Sequence, residues 1–199
     1  MRSFIPSPRK IIEHGFTLIE LLVTVSLLSV LLMLAAPSLQ EFFIKNTLRR
    51  ISDDFTQSIF KTKNIAVNKN TCTVMCMSST TSSDSPTCDI KNNSDWQPGW
   101  IIFLNPSCDS SKNAPDAVDD ILEIRTAVPG EYFLQNQSSA QKIAFNARGM
   151  NGLNGAARFS IQYKSANNKN NEKYSVDVCL DALGRTRTLP SGSACNQYK

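Results

Sequence analysis

Residues 15–39 read GFTLIELLVTVSLLSVLLMLAAPSL, and Glu20 is the only ionisable side chain among them. The run from Phe16 to Leu39 is long enough, at about 1.5 Å per helical residue, to cross a hydrocarbon core of roughly 30 Å. It therefore reads as a transmembrane helix over 16–39. A cleaved secretory signal would have a shorter apolar region and a small-residue cleavage site, whereas this run continues into a helical pattern. Arg2, Arg9 and Lys10 precede the span, so the positive-inside tendency leaves them in the cytoplasm and places everything after Leu39 on the far side of the membrane. A carboxylate five residues into such a span is costly and marks a function.

Gly15-Phe16-Thr17-Leu18-Ile19-Glu20 before an apolar helix resembles the class III signal of type IV pilins and type II secretion pseudopilins. The resemblance implies that a prepilin peptidase cleaves after Gly15, removing residues 1–15 as a leader, and that the new amine on Phe16 is methylated. It also implies a role for Glu20, whose carboxylate would neutralise that ammonium while subunits move from the inner membrane into a filament. An unpaired ion in an apolar bundle would cost several kcal/mol, on the order of the penalty for any buried charge.

Pro37 lies inside the helix and is expected to bend or locally unwind it. Beyond it, Ile44, Leu48, Ile51, Phe55, Ile59 and Ala66 form one helical stripe suited to packing on a sheet, so 40–70 reads as an amphipathic helix. Lys45, Arg49, Arg50, Lys61 and Lys63 belong to the opposite, solvated face. After Asn70 the helical period disappears. Short strand-like runs near 71–78, 100–104, 121–128, 142–146, 157–163, 174–180 and 185–189 alternate with Asn, Ser, Gly and Pro clusters. Polar loops are expected over Thr80–Ser94, Asn105–Asp120 and Ala166–Asn171. The fold class is thus α+β: a long N-terminal helix on a small, mainly antiparallel β domain over 71–199. A chain of 199 residues with this much helix leaves one core and excludes a multidomain enzyme.

The segment Trp96-Gln97-Pro98-Gly99-Trp100-Ile101-Ile102-Phe103, with Phe145-Asn146-Ala147-Arg148-Gly149 before Arg158–Tyr163, resembles the GspH/FimT group of type IV pilin-like proteins. That group holds minor pilins of type IV pili and minor pseudopilins of type II secretion systems. The resemblance implies the pilin fold, with other pilin subunits as partners. It also implies single-pass insertion in a bacterial inner membrane with the β domain in the periplasm, followed by a place in a pilus or pseudopilus. The two tryptophans read as core packing.

Cys72, Cys76, Cys88, Cys108, Cys179 and Cys195 all follow the span. In an oxidising compartment they suggest three disulfides in one of 15 connectivities, of which only Cys179–Cys195 is singled out, because it would tie down the C-terminus. The lone histidine, His14, lies in the expected leader, so no histidine-based triad or metal site is available to the mature chain. Neither a phosphate loop nor a cofactor motif is present, and no enzymatic activity is expected.

Charge is unevenly distributed. Residues 72–139 carry nine acidic and three basic side chains, and residues 140–199 carry three acidic and nine basic. Within the basic part stands Gly184-Arg185-Thr186-Arg187, between Cys179 and Cys195. In an extended segment Arg185 and Arg187 would share a face, and two guanidinium forks suit two phosphates without reading bases. Exposed arginines on a strand also serve simply to discourage edge pairing. The motif resembles the Gly-Arg-x-Arg of FimT minor pilins, and that resemblance implies double-stranded DNA as a ligand in natural transformation. Lys164, Lys169, Lys173 and Lys199 are auxiliary candidates, with Arg148 and Arg158 behind them. The alternative is an assembly-priming minor pilin, FimU-like, or a GspH-like pseudopilin that binds no nucleic acid.

Overall fold

A computed structural model of the chain describes residues 16–89, 95–138, 140–152, 157–164 and 170–195, with backbone alone for 170–173. Helix α1 spans Leu18–Asn68. Thr17 caps it, its hydroxyl accepting the Glu20 N–H at 3.3 Å. The chain divides into two units, Met1–Phe42 and Phe43–Lys199.

In the first unit, no side chain from Phe16 to Phe42 is buried, and the apolar ones lie open all round the helix. This stretch is long and apolar enough to cross a membrane. Its hydroxyls turn inward: Thr24, Ser26, Ser29 and Ser38 each donate to the carbonyl three residues earlier. They thereby leave no polar hydrogen pointing into an apolar surrounding. The helix runs unbroken through Pro37, so the expected local unwinding is absent. The proline removes only one ladder bond, and Ser38 donates to the Ala35 carbonyl alongside it at 2.9 Å.

In the second unit, the end of α1 buries Ile44, Leu48, Ile51, Phe55, Ile59 and Ala66 against two antiparallel sheets. The first sheet has β1 (Cys72–Met77), β2 (Trp100–Asn105), β3 (Ile121–Arg125) and β5 (Lys142–Phe145), in the order β3-β2-β1-β5. The second has β4 (Tyr132–Asn136), β6 (Ala157–Lys164), β7 (Asn170–Leu180) and β8 (Thr186–Pro190), in the order β4-β6-β7-β8. Phe55 is the hub of the core. Trp96 and Trp100 meet it edge-on at 5.5 and 5.3 Å, and Phe159 at 4.8 Å, so both tryptophans are packing residues.

Every residue of β1 is buried, which an ordinary amphipathic strand would not allow. Met75 and Met77 face the helix, while Val74 and Cys76 join Cys88, Ile101 and Phe103 in a second cluster on the other face. Residues 80–89 and 105–120 of the two long polar loops cover that face and are stapled to β1 by the disulfides Cys76–Cys88 and Cys72–Cys108. Lys142 adds a polar clasp, its ammonium donating to the Ser110 and Lys112 carbonyls and to Asn113 Oδ1.

The strand expectations need three corrections. Strand β4 falls where no strand is expected, because YFLQN follows Pro129-Gly130 and carries only a short alternation, yet it buries Leu134 completely. Strand β3 ends at Arg125 rather than 128, and Val128 is a buried loop residue instead. The loop expected over Ala166–Asn171 is shorter at its end, since β7 begins at Asn170. The amphipathic helix stops at Asn68, where Asn70 adopts a positive φ of 49° and the Thr71 N–H donates back to the Ala66 carbonyl.

Candidate functional site

Strands β7 and β8 are joined by Asp181-Ala182-Leu183-Gly184-Arg185. Asp181 at the first and glycine at the fourth position suit a type I turn, and the Gly184 N–H donates to the Asp181 carbonyl at 3.0 Å. Gly184 then takes φ +71°, the left-handed residue that closes a three-residue hairpin loop, and the Asp181 N–H donates to the Arg185 carbonyl at 3.0 Å. A Cβ at Gly184 would stand 2.6 Å from Phe145 Cε1 and 2.9 Å from the Gly149 carbonyl oxygen. Lys63 of α1 reaches between the Gly149 and Gly184 turns and donates to the Leu183 carbonyl at 2.8 Å. The glycine of Gly-Arg-x-Arg is therefore explained by the fold itself, with no ligand required.

Arg185 does not lie in the strand. It sits at the end of the turn, its Nε donating to Asp181 Oδ2 at 2.6 Å and its own N–H to Asp181 Oδ1 at 2.7 Å. Burial works to raise the Asp181 carboxyl, but these Arg185 hydrogen bonds and charge hold it below the usual carboxylate range. The expectation of one extended segment presenting both arginines by strand alternation is thus corrected: β8 begins at Thr186, and Arg185 is oriented by Asp181. Its side chain remains 59% exposed.

Arg187 is exposed on β8, the edge strand of its sheet. It lies directly opposite Cys179 on β7, which lies opposite Arg158 on β6. Directly opposed residues share a sheet face, so the two arginines flank Cys179 on the side away from Val178 and Leu180, which are in the core. Cys179 is bonded to Cys195 on that same side. Arg158 is tied to Asp177 at 3.5 Å and donates to the Ser193 carbonyl, while Asp177 also accepts from Ser160 and from the Gly192 N–H. The segment Ser191–Cys195 is thereby fixed over the sheet beside Arg187.

Of the auxiliary lysines, Lys164 and Lys173 do not join this group. Lys164 is six residues along β6 from Arg158, about 20 Å at strand spacing, and its ammonium stands 4.2 Å from the Phe133 ring centre. Lys173 occupies β7 six residues before Cys179, equally far. Lys169, Lys199 and Gly15 lie outside the described residues, and Arg148 is exposed in the turn after β5. Phe16 and Glu20 belong to the first unit. Sequence reasoning missed Asp181 and placed Lys63 on a solvated face, whereas it is half-buried and bonded to the turn. The Asp-x-x-Gly turn pattern could have exposed the first, but nothing local signals a lysine 120 residues away.

Among the described residues no group of side chains could hold a metal ion, and all six cysteines are in disulfides. The family model Prokaryotic N-terminal methylation motif matches residues 12–36. No curated protein matches the chain in sequence. Two crystal structures of the type IV minor pilin FimU from Pseudomonas aeruginosa (strain PAO1) share the fold. One, in space group P21, has 15% identity over 77% of this chain and 96% of that chain, with a TM-score of 0.55. The other, in P65, has 16% identity over 74% and 96%, with a TM-score of 0.51. The family model Type II transport protein GspH matches residues 52–184, about two thirds of the chain, and stops one residue short of Arg185. With that match running from within α1 through β7, and the fold of a type IV minor pilin, the chain belongs to the GspH family.

Proposed function

We propose that the chain is a FimT-like minor pilin that enters a type IV pilus and binds the backbone of double-stranded DNA through Arg187 and Arg185 during natural transformation. The observation that carries this reading is the exposed pair on one hairpin: Arg187 on an edge strand beside a disulfide, and Arg185 held by Asp181. Such guanidinium groups contact phosphates without reading sequence. Lys164 and Lys173 are too distant to share a short stretch of backbone with them, so neither is part of the proposed site.

On the same reading a prepilin peptidase removes residues 1–15 and methylates Phe16, the apolar helix anchors the subunit in the inner membrane with the β domain in the periplasm, and Glu20 pairs with an N-terminal ammonium in the filament. The second reading is an assembly subunit, of pilus or secretion pseudopilus, without a nucleic acid ligand. It draws on the Asp181 carboxylate, which already offsets the charge of Arg185. Titrating duplex DNA into residues 43–199 separates the two. That unit contains every buried residue of the described chain, so it holds a complete core. Binding that is lost in R185Q/R187Q supports the DNA reading, and absence of binding returns the chain to the assembly class.

A further inference from the structure

Strand β2 starts and strand β3 ends at a directly opposed pair, Trp100 and Arg125, so these two residues share a sheet face. That face is the one packed on α1, since the Trp100 ring meets Phe55. On the helix, Arg50 and Asp54 are four residues apart and therefore neighbours on one side of it. All four line a cavity of about 230 Å³, whose wall also includes the segment Thr126–Pro129. Val128 is buried and its N–H donates to the Gln97 carbonyl at 2.8 Å, which ties that wall to the turn before β2.

The polar groups around this cavity are of two kinds. Trp100 is only 3% exposed, and its indole N–H has no acceptor. An indole nitrogen cannot swing to another partner as a hydroxyl can, so leaving it buried and unpaired costs stability unless a group from outside the chain supplies an oxygen. The Trp96 indole, by contrast, donates to the Ala140 carbonyl at 3.2 Å. Arg125 gives its Nε to Glu123 at 2.6 Å, and among the described residues nothing accepts from its terminal nitrogens or from Arg50. Beside these donors stands one carboxylate, Asp54. The Glu123 hydrogen bond and, less strongly, the Asp54 charge hold the Arg125 guanidinium pKa above its ordinary value, so both cationic groups keep their charge.

A simple anion in this cavity would meet Asp54, and a simple cation would meet two guanidinium groups. A molecule with both charges on one carbon meets neither obstacle. We propose that the cavity binds a small α-amino acid as its zwitterion: the Trp100 indole and the Arg50 and Arg125 guanidinium groups donate to its carboxylate, and its ammonium donates to Asp54. The volume holds roughly seven water-sized groups, enough for glycine or alanine and too little for a nucleotide. The site draws on α1, β2 and β3 and shares no residue with the β7–β8 hairpin, so the inference is independent of the DNA reading.

The test is an NMR titration of the full-length chain in detergent, labelled with ¹⁵N only at its tryptophan indoles, of which there are 2. The signal missing from Trp100→Phe, a change that keeps a ring in the core, identifies Trp100. Glycine should move the Trp100 indole signal and leave that of Trp96 in place, while acetate and methylammonium at the same ionic strength bind at least about tenfold more weakly. Arg50→Gln should weaken glycine binding by about tenfold or more, and Asp54→Asn should bring glycine down to the level of acetate. An unmoved Trp96 signal in both variants shows that their core is intact. Absence of any shift, equal movement of both indoles, acetate or inorganic phosphate binding as tightly as glycine, or indifference to either substitution would each overturn the proposal.

Discussion

Gly184→Ala is the substitution whose cost the geometry defines best. The residue has φ +71°, and an alanine held in that region is strained by about 1–2 kcal/mol. Its Cβ would also stand 2.6 Å from Phe145 Cε1, a completely packed ring, and 2.9 Å from a backbone oxygen, so something must move. Overpacking of this kind costs about 1–3 kcal/mol. The sum, about 2–5 kcal/mol, is a large share of the roughly 5–15 kcal/mol that holds a domain together. Gly192 supplies the control, because it has φ +83° and a methyl group added to it would meet nothing within 4 Å. Gly192→Ala should therefore lose only the conformational part, about 1–2 kcal/mol. Urea unfolding of residues 43–199 with the disulfides intact measures both. The hairpin docking described above requires Gly184→Ala to be the more damaging by at least about 1 kcal/mol. Equal losses, or a loss at Gly184 below about 0.5 kcal/mol, would refute the packing of this turn against Phe145 and Gly149.

Other outcomes follow from the same contacts. Glu123 accepts from Lys61 and Arg125 at 2.6 Å each; burial works against its ionisation, but these partners hold its carboxyl below the ordinary 4.5. A depressed folded value means stability that is present above about pH 4.5 and lost as pH falls through the folded value, so unfolding curves of wild type and E123Q should differ at pH 7 and converge in acid. Replacing Cys179 and Cys195 by serine opens a 16-residue link and should cost about 3 kcal/mol, while freeing Ser191–Cys195 to amide exchange. Glu20→Ala should reduce the amount of subunit recovered in sheared filaments while leaving the unfolding of residues 43–199 unchanged, and normal recovery would remove the role assigned to that carboxylate.

The helix is readable in the sequence because its two halves obey simple rules: an uninterrupted apolar run, then a stripe from Ile44 to Ala66 at helical spacing. The first sheet is readable as strands but not as a doubly covered layer. Burial of all six residues of β1 depends on loops that look merely polar until Cys76–Cys88 and Cys72–Cys108 pin them down, and spacing alone leaves such pairings open. Strand β4 is hidden because five residues carry too little alternation to stand out. In the candidate site, Arg185 and Arg187 are visible as residue types, whereas their inequality is not. A type I turn displaces Arg185 from the strand and gives it to Asp181, and the pairing of Arg158, Cys179 and Arg187 across three strands is a matter of register. Charge counted along the chain groups Lys164 and Lys173 with the arginines, but a strand's length separates them.

The central claim is that Arg187 and Arg185 hold DNA phosphates, and the salt dependence of duplex binding by residues 43–199 tests it most directly. Two phosphate contacts give a slope of log K against log salt near −1.8, or about a twelvefold loss of affinity between 50 and 200 mM. Arg187→Gln should bring the slope to about −0.9 and that loss to about 3.5-fold, equally for unrelated duplex sequences. A slope that Arg187→Gln leaves unchanged, or binding that ignores salt, would contradict the account.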